Sequence, residues 1–160
     1  MDTTKLDASI LVNEGFCAHA YKDTLGRWTF GEGRCLETSP LTGAEWKSLL
    51  DSNNISVMVT REGSQMMADE IIAACVAQCR NHLPNWAGLD DVRQNAIIEF
   101  CYQCGSADAL VKFGTLASLL SHGDWAGAAA DVLTTLWAKQ TPHRAEQFNA
   151  MITSGEWPNG

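Results

Sequence analysis

Gly15, Gly26, Gly31 and Gly33 crowd into residues 15–33, and this glycine spacing constrains the fold more than any other feature of the chain. Between them stand Tyr21, Trp28, Thr29 and Phe30, residues that favour a pleated, half-buried surface. Glycine allows the backbone to turn through conformations closed to other residues. Aromatic and β-branched residues cut by such turns predict a small twisted antiparallel sheet over residues 17–35. A segment of that size cannot fold alone, so the remaining chain must cover it.

The remainder reads as helix. Leu6, Ile10 and Leu11 predict an amphipathic helix over residues 3–13, stopped by Gly15. Pro40 precedes Thr42-Gly43-Ala44-Glu45, a capping box that opens a helix to about Leu50. Asp51 to Val59 reads as a connector, and Thr60 caps a long helix over 61–80 carrying Met66, Met67, Ile71, Cys75 and Cys79. Asp90 or Asp91 starts another, with Val92, Ala96, Ile97, Phe100, Cys101 and Cys104 inward and Gly105 at its end. A helix near 115–121 ends at Gly123, and Asp124 caps one running from Trp125 to about Lys139. Thr141-Pro142, an N-cap followed by proline at the first helical position, opens the last, which runs to Ser154 before Gly155. The pattern predicts a mostly helical α+β chain in one domain spanning 1–160. A sheet-bearing lobe covers 13–60, a connecting helix 61–80 and an all-helical lobe 81–160.

Composition narrows the function. With 11 Lys+Arg against 19 Asp+Glu, the net charge of −8 argues against nucleic acid as a partner, since phosphate needs a basic face. Hydrophobic residues at 46% supply a core. No apolar run reaches the ~18 residues of a membrane span, so no membrane insertion is expected. The first residues, Met1-Asp2-Thr3-Thr4-Lys5, lack the basic and apolar regions of a cleavable signal, which predicts synthesis in the cytosol. The six cysteines are expected as free thiols. Cys75/Cys79 and Cys101/Cys104 could supply four thiolates to zinc, but within apolar helices they read better as small core residues. No metal and no cofactor is expected.

The chemistry gathers at the glycine-rich segment. Glu14 and Asp23 lie nine positions apart, one ending a helix and one in a turn, and Thr29 follows six later. Splitting a glycosidic bond needs one carboxyl to give a proton to the leaving oxygen and another to activate water or attack the sugar. A helix C-terminus disfavours negative charge, which suits Glu14 to the proton-donor role. Turn amides and solvent favour ionised Asp23. The Thr29 hydroxyl both donates and accepts, which suits it to hold a water. Each residue alone also has an ordinary structural explanation: a solvated helix-end glutamate, a turn aspartate and a strand threonine.

Together they resemble the phage-type lysozymes, glycoside hydrolase family 24, whose pattern E-G-x5-Y-x-D-x2-G-x2-T-x-G-x-G is met by Glu14, Gly15, Tyr21, Asp23, Gly26, Thr29, Gly31 and Gly33. A second block, Leu89-Asp90-Asp91-Val92-Arg93 with Tyr102-Gln103-Cys104-Gly105, is similar to the family's helix ending at the cleft. A third, Trp137 to Ala145, matches its W-x2-Q-T-P-x-R signature. The resemblance implies a lysozyme-like two-lobed fold, with a small antiparallel sheet lobe, a long connecting helix and an all-helical lobe. It implies hydrolysis of the β-1,4 bond after N-acetylmuramic acid in the glycan strand of peptidoglycan. By position it makes Glu14 the proton donor, Asp23 the water activator and Thr29 the water holder; the sequence leaves retention or inversion at the anomeric carbon open, and the water holder and the family precedent favour inversion. Tyr102 and Gln103 fall at the cleft edge and Arg144 where the family has an arginine facing the catalytic glutamate, so all three are expected to bind substrate. An endolysin of this kind, acting as a monomer, is expected to be made in the host cytoplasm and to reach the wall in the periplasm through a lesion opened by a separate holin. Met1 and the Trp157-Pro158-Asn159-Gly160 ending favour a free-standing enzyme over a domain cut from a tail protein or a non-catalytic wall-binding module. A lytic transglycosylase needs only the glutamate, so Asp23 and Thr29 argue against that alternative.

The chain departs from the family at three points. Arg34 replaces the usual histidine after G-x-G, with Asp69 or Glu70 as its expected partner. Glu32 adds a third carboxylate, expected to face outward from its strand. Trp137, which matches the family, is expected in the core rather than the cleft. The acidic balance predicts weak long-range capture by the anionic wall, and activity that changes little with salt.

Overall fold

The computed structural model describes residues 3–36, 38–45, 61–105 and 108–158, without the side chain of Glu62. The predicted helix beyond residue 45, the connector at 51–59 and the Thr60 cap lie outside the described residues. The chain divides into two compact units, Asp7–Ile71 and a second made of Met1–Leu6 with Ile72–Gly160. The architecture is lysozyme-like α+β, with the small sheet in the first unit and most helices in the second.

Helix α1 (Thr3–Glu14), which lies in the sheet-bearing unit from Asp7 onward, ends one residue later than predicted. Gly15, at φ 70°, closes it by donating its amide to the Leu11 carbonyl at 2.9 Å. Strands β1 (Cys17–Lys22), β2 (Trp28–Gly31) and β3 (Arg34–Cys35) form an antiparallel sheet in the order β1-β2-β3. Tyr21 pairs with Thr29, Lys22 with Trp28 and Phe30 with Arg34, and the register slips between Cys17 and Tyr21. On β2, Phe30 enters a small core with Leu41 and Met67, backed by Ala20 and Leu36. Phe30 has no exposed surface, so truncating it to alanine would cost about 3–5 kcal/mol. The capping box forms: the Thr42 amide donates to Glu45, and the Glu45 amide to Thr42 Oγ1 at 3.3 Å.

Helix α2 (Arg61–His82) runs through the boundary between the units and outlasts the predicted end by two residues. Its buried stripe includes Ser64, Met67, Ala68, Ile72, Cys75 and Cys79, whereas Met66 is 67% exposed. The reason is phase: the stripe set by Met67 turns Met66 outward by one position.

In the helical unit, Asp90 caps α3 (Asp91–Gln103) by accepting the Arg93 amide at 2.9 Å. Short helices α4 (Ala109–Lys112) and α5 (Gly114–Ser121) follow. The single helix expected over 125–139 is two, α6 (Trp125–Thr134) and α7 (Leu136–Gln140). Thr135 breaks it: its backbone is extended at ψ 159°, and its hydroxyl caps α7 by accepting the Ala138 amide at 3.1 Å. Helix α8 (Pro142–Ser154) ends at left-handed Gly155, as expected. Thr141 makes no side-chain cap to it, however, since its hydroxyl donates to the Trp137 carbonyl at 2.8 Å.

Phe100 is the hub of this unit. Phe113 and Trp137 meet its ring edge-on with centroids at 4.9 and 5.0 Å, and Phe148 tilts against it at 5.6 Å. Such pairs add about 0.5–1.5 kcal/mol beyond their area. Trp137 is half-buried and packs its ring on this cluster. Arg93 ties α3 to the end of α8, donating to the Ile152 and Thr153 carbonyls at 2.9 and 3.1 Å with its guanidinium 4.8 Å from the Trp125 ring. Cys75, Cys79 and Cys101 are fully buried and Cys104 half-buried. Burial pushes the Cys75 and Cys104 thiols up to about 12, so they stay protonated. Among the described residues no group of His, Cys, Asp or Glu is arranged to hold a metal.

Candidate active site

Glu14 is the last residue of α1 and is half-buried. Its carboxyl lies against the Cα of Gly33. A side chain there would fall on Glu14 Oε2 and come within 3.1 Å of its carboxyl carbon. Gly33 also sits at φ +78°. The backbone conformation therefore favours glycine at this position, and a side chain there would push the Glu14 carboxyl aside.

Asp23 opens the turn between β1 and β2. Its Oδ1 accepts the amides of Leu25 at 2.8 Å and Arg27 at 2.9 Å. Its Oδ2 accepts Arg27 Nε at 2.9 Å, with a second guanidinium nitrogen at 2.7 Å. The Arg27 amide first, then its guanidinium, hold the Asp23 carboxyl below the usual range. The sequence pointed to turn amides here but did not reveal Arg27. A basic residue four positions after a turn aspartate was the available signal.

Thr29 is buried on β2, with its hydroxyl 3.4 Å from the Arg27 carbonyl. Directly across from it stands Tyr21. Burial raises the Tyr21 phenol, and the Cys17 thiol and the charges of Glu14 and Asp23 add to that shift. Tyr21 therefore lies within electrostatic reach of both carboxylates. Glu14, Asp23 and Thr29 stand around it, a placement the sequence pattern used only for register.

Two expectations are overturned nearby. Glu32 faces inward rather than outward and is 3% exposed. It occupies the β2–β3 turn between Gly31 and Gly33, whose positive φ values of 62° and 78° direct it toward Ser64 and Arg61 of α2. Burial raises its carboxyl, with the Asp7 and Asp69 charges adding, while Ser64 and Arg61 act in the other direction. Arg34 pairs with Glu45, not with Asp69 or Glu70. It also donates to the Ser39 and Pro40 carbonyls at 3.0 and 2.9 Å. Burial raises the Glu45 carboxyl, but the Thr42 amide and Arg34 outweigh it, leaving Glu45 below its ordinary value. The capping box supplies the reason: it turns the Glu45 side chain back over the strand before α2 begins.

Tyr102, Gln103 and Arg144 belong to the helical unit. Tyr102 is 9% exposed. Gln103 accepts Trp137 Nε1 at 3.0 Å. Arg144 lines a hollow with Gln103, Trp137 and Glu99. At about 10 Å³ the hollow has room for about one water and none for a sugar ring. Glu99, buried on α3 and 3.5 Å from Gln147 Nε2, has no signal in the sequence distinguishing it from a surface helix residue.

A family model described as phage lysozyme matches residues 12–152. The chain belongs to this family. It is similar to the probable T4-type lysozymes 1 and 2 of Dictyostelium discoideum, at 27% and 24% identity, over 89% of this chain and 90% of each relative. It is 24% identical to the pre-baseplate central spike protein Gp5 of Enterobacteria phage T4, over 89% of this chain but only 26% of that protein. Phage lysozymes are peptidoglycan hydrolases, and this chain is a glycoside hydrolase of that class. Among the described residues no helix is long and apolar enough to cross a membrane.

Proposed function

We propose that this phage lysozyme hydrolyses the β-1,4 bond between N-acetylmuramic acid and N-acetylglucosamine, with inversion, and lyses the bacterial host. Glu14 gives its proton to the glycosidic oxygen. A water bound to Thr29 and Asp23 adds to the anomeric carbon from the opposite side, and its proton passes to Asp23. The observation that carries the reading is the gathering of Glu14, Asp23 and Thr29 around Tyr21, with Asp23 held ionised by Arg27. A carboxyl with a depressed pKa is a weak base, so Asp23 polarises the water and takes its proton only as the new C–O bond forms. Its fixed charge also stabilises the oxocarbenium-like transition state.

The two units act in this reading as one lysozyme domain, with Tyr102, Gln103 and Arg144 binding the glycan strand. Monomeric action and access to the periplasm through a separate holin belong to the same proposal. Purified protein should clear chloroform-permeabilised Gram-negative cells, and Glu14→Gln should abolish clearing. Equal clearing by both would refute the donor role. Lysis of intact cells on co-expression with a holin, and no lysis without one, tests the delivery route.

A further inference from the structure

Among the described residues of the sheet-bearing unit, Glu32 is the buried carboxylate, beside the Arg34-bound Glu45, that the proposed chemistry leaves unused. It sits in a turn of three residues with glycine on either side. Its 3% exposure means that the whole side chain is enclosed, not just its stem. Two helices face it. Asp7 stands on α1, the helix that ends in Glu14. Ser64, Arg61 and Asp69 stand on α2. Asp7 also senses Asp69: burial first, then Asp69, raises the Asp7 carboxyl. Ionising Glu32 therefore places a third negative charge among two others in a poorly solvated site, against which Arg61 and the Ser64 hydroxyl act.

The residue after Glu32 is Gly33, the floor on which the Glu14 carboxyl rests. The Gly33 Cα carries no side chain because Glu14 fills that space, with Glu14 Cβ only 3.3 Å from where one would start. A shift of the turn at Glu32 is thus a shift of the surface that orients the proton donor. We propose that Glu32 is a positioning residue for Glu14, holding the Gly31–Gly33 turn in place as the neutral acid and loosening it when ionised. The enzyme then gains activity on the acid side and loses it as Glu32 ionises.

The sign follows from linkage. A carboxyl that binds its proton more tightly folded than unfolded contributes stability at low pH, and that contribution is lost as pH rises through its folded pKa. Glu32→Gln keeps the neutral shape and removes the titration. Asp69→Asn removes one facing charge and should move the inflection to lower pH.

The inference rests on the hydrolase reading, so the test reads folding and catalysis separately. Thermal midpoints and kcat and KM on solubilised, uncrosslinked peptidoglycan strands are measured from about pH 4.5 to 8 for wild type, Glu32→Gln, Glu32→Asp and Asp69→Asn. The ratio of kcat for Glu32→Gln over wild type should be near one at the acid end and rise to about threefold or more at the alkaline end, with KM within about twofold. The thermal midpoint of Glu32→Gln should overtake that of wild type over the same range. Glu32→Asp should restore the pH dependence, and Asp69→Asn should shift it downward. A kcat ratio that does not change with pH overturns the positioning role, whether or not the midpoints diverge. If Glu32→Gln does not fold, an Asp69→Asn profile superimposable on wild type overturns it equally. A wild type that folds but cleaves no glycan refutes the hydrolase reading itself, and this inference with it.

Discussion

Arg27 reaches Asp23 through both its backbone and its side chain, the amide on Oδ1 at 2.9 Å and the guanidinium on Oδ2 at 2.7 Å. The turn that carries the proposed water activator thus also carries the cation that keeps it ionised. Asp23 is bound on both oxygens before any water arrives, so its geometry is set by the turn rather than by substrate.

Removing the Arg27 side chain should therefore show in the acid limb of the pH profile. The limb should move up toward the ordinary aspartate value of about 4 in Arg27→Ala. Below that value Asp23 protonates and activity falls; in wild type the fall should come at lower pH. The depressed carboxyl also contributes stability above its unfolded pKa, lost as pH falls through the folded one. The Arg27→Ala midpoint should therefore drop at neutral pH and converge with wild type in acid. Superimposable pH–rate profiles would remove Arg27 from the account.

Gly33→Ala combines two effects. A left-handed conformation costs a non-glycine residue about 1–2 kcal/mol. The added methyl group also displaces the Glu14 carboxyl, and a misplacement near 1 Å can lower kcat about 100-fold. Thermal melting and kcat should separate: a modest loss of stability with a large loss of turnover. Gly26→Ala meets no neighbouring atom and serves as the control for backbone strain alone.

The Arg34–Glu45 pair is buried on both sides, at 6% and 9% exposure. Breaking it from one side leaves a buried charge, which costs about 3–5 kcal/mol. Arg34→Met should lower the thermal midpoint steeply, and Arg34→Met with Glu45→Leu should recover much of the loss. Equal destabilisation by the single and double variants would show that the carbonyl bonds to Ser39 and Pro40, not the ion pair, carry the stability.

These positions mark where sequence reading succeeds and where it stops. Gly15, Asp90, Asp124 and Gly155 act on residues within four positions of themselves, so they could be read directly. The Glu14-to-Thr29 segment was legible for the same reason, with Gly15 and Gly26 at its turns. Glu32 was not, because its burial depends on Arg61 and Ser64, some thirty residues away. Nor was the partner of Arg34: Asp69 and Glu70 are also acidic, and only the path of residues 38–45 brings Glu45 to it. The break at Thr135 lay hidden because a threonine inside an apolar helical pattern reads as helix until its hydroxyl is seen capping the next one.

A net charge of −8 gives the enzyme no electrostatic pull toward an anionic wall. Clearing rates should change little between about 20 and about 200 mM NaCl, a range over which screening suppresses steered encounters. A steep fall would reveal a local basic surface that overrides the net charge.

The most direct test of the central claim is mass spectrometry of muropeptides released in water enriched with heavy oxygen. If Glu14 protonates the leaving oxygen while Asp23 and Thr29 deliver water, every new N-acetylmuramic acid end is reducing and carries one solvent oxygen. New ends in the 1,6-anhydro form, without solvent oxygen, would contradict it, because the sugar's own hydroxyl would then have done the work assigned to the water on Asp23.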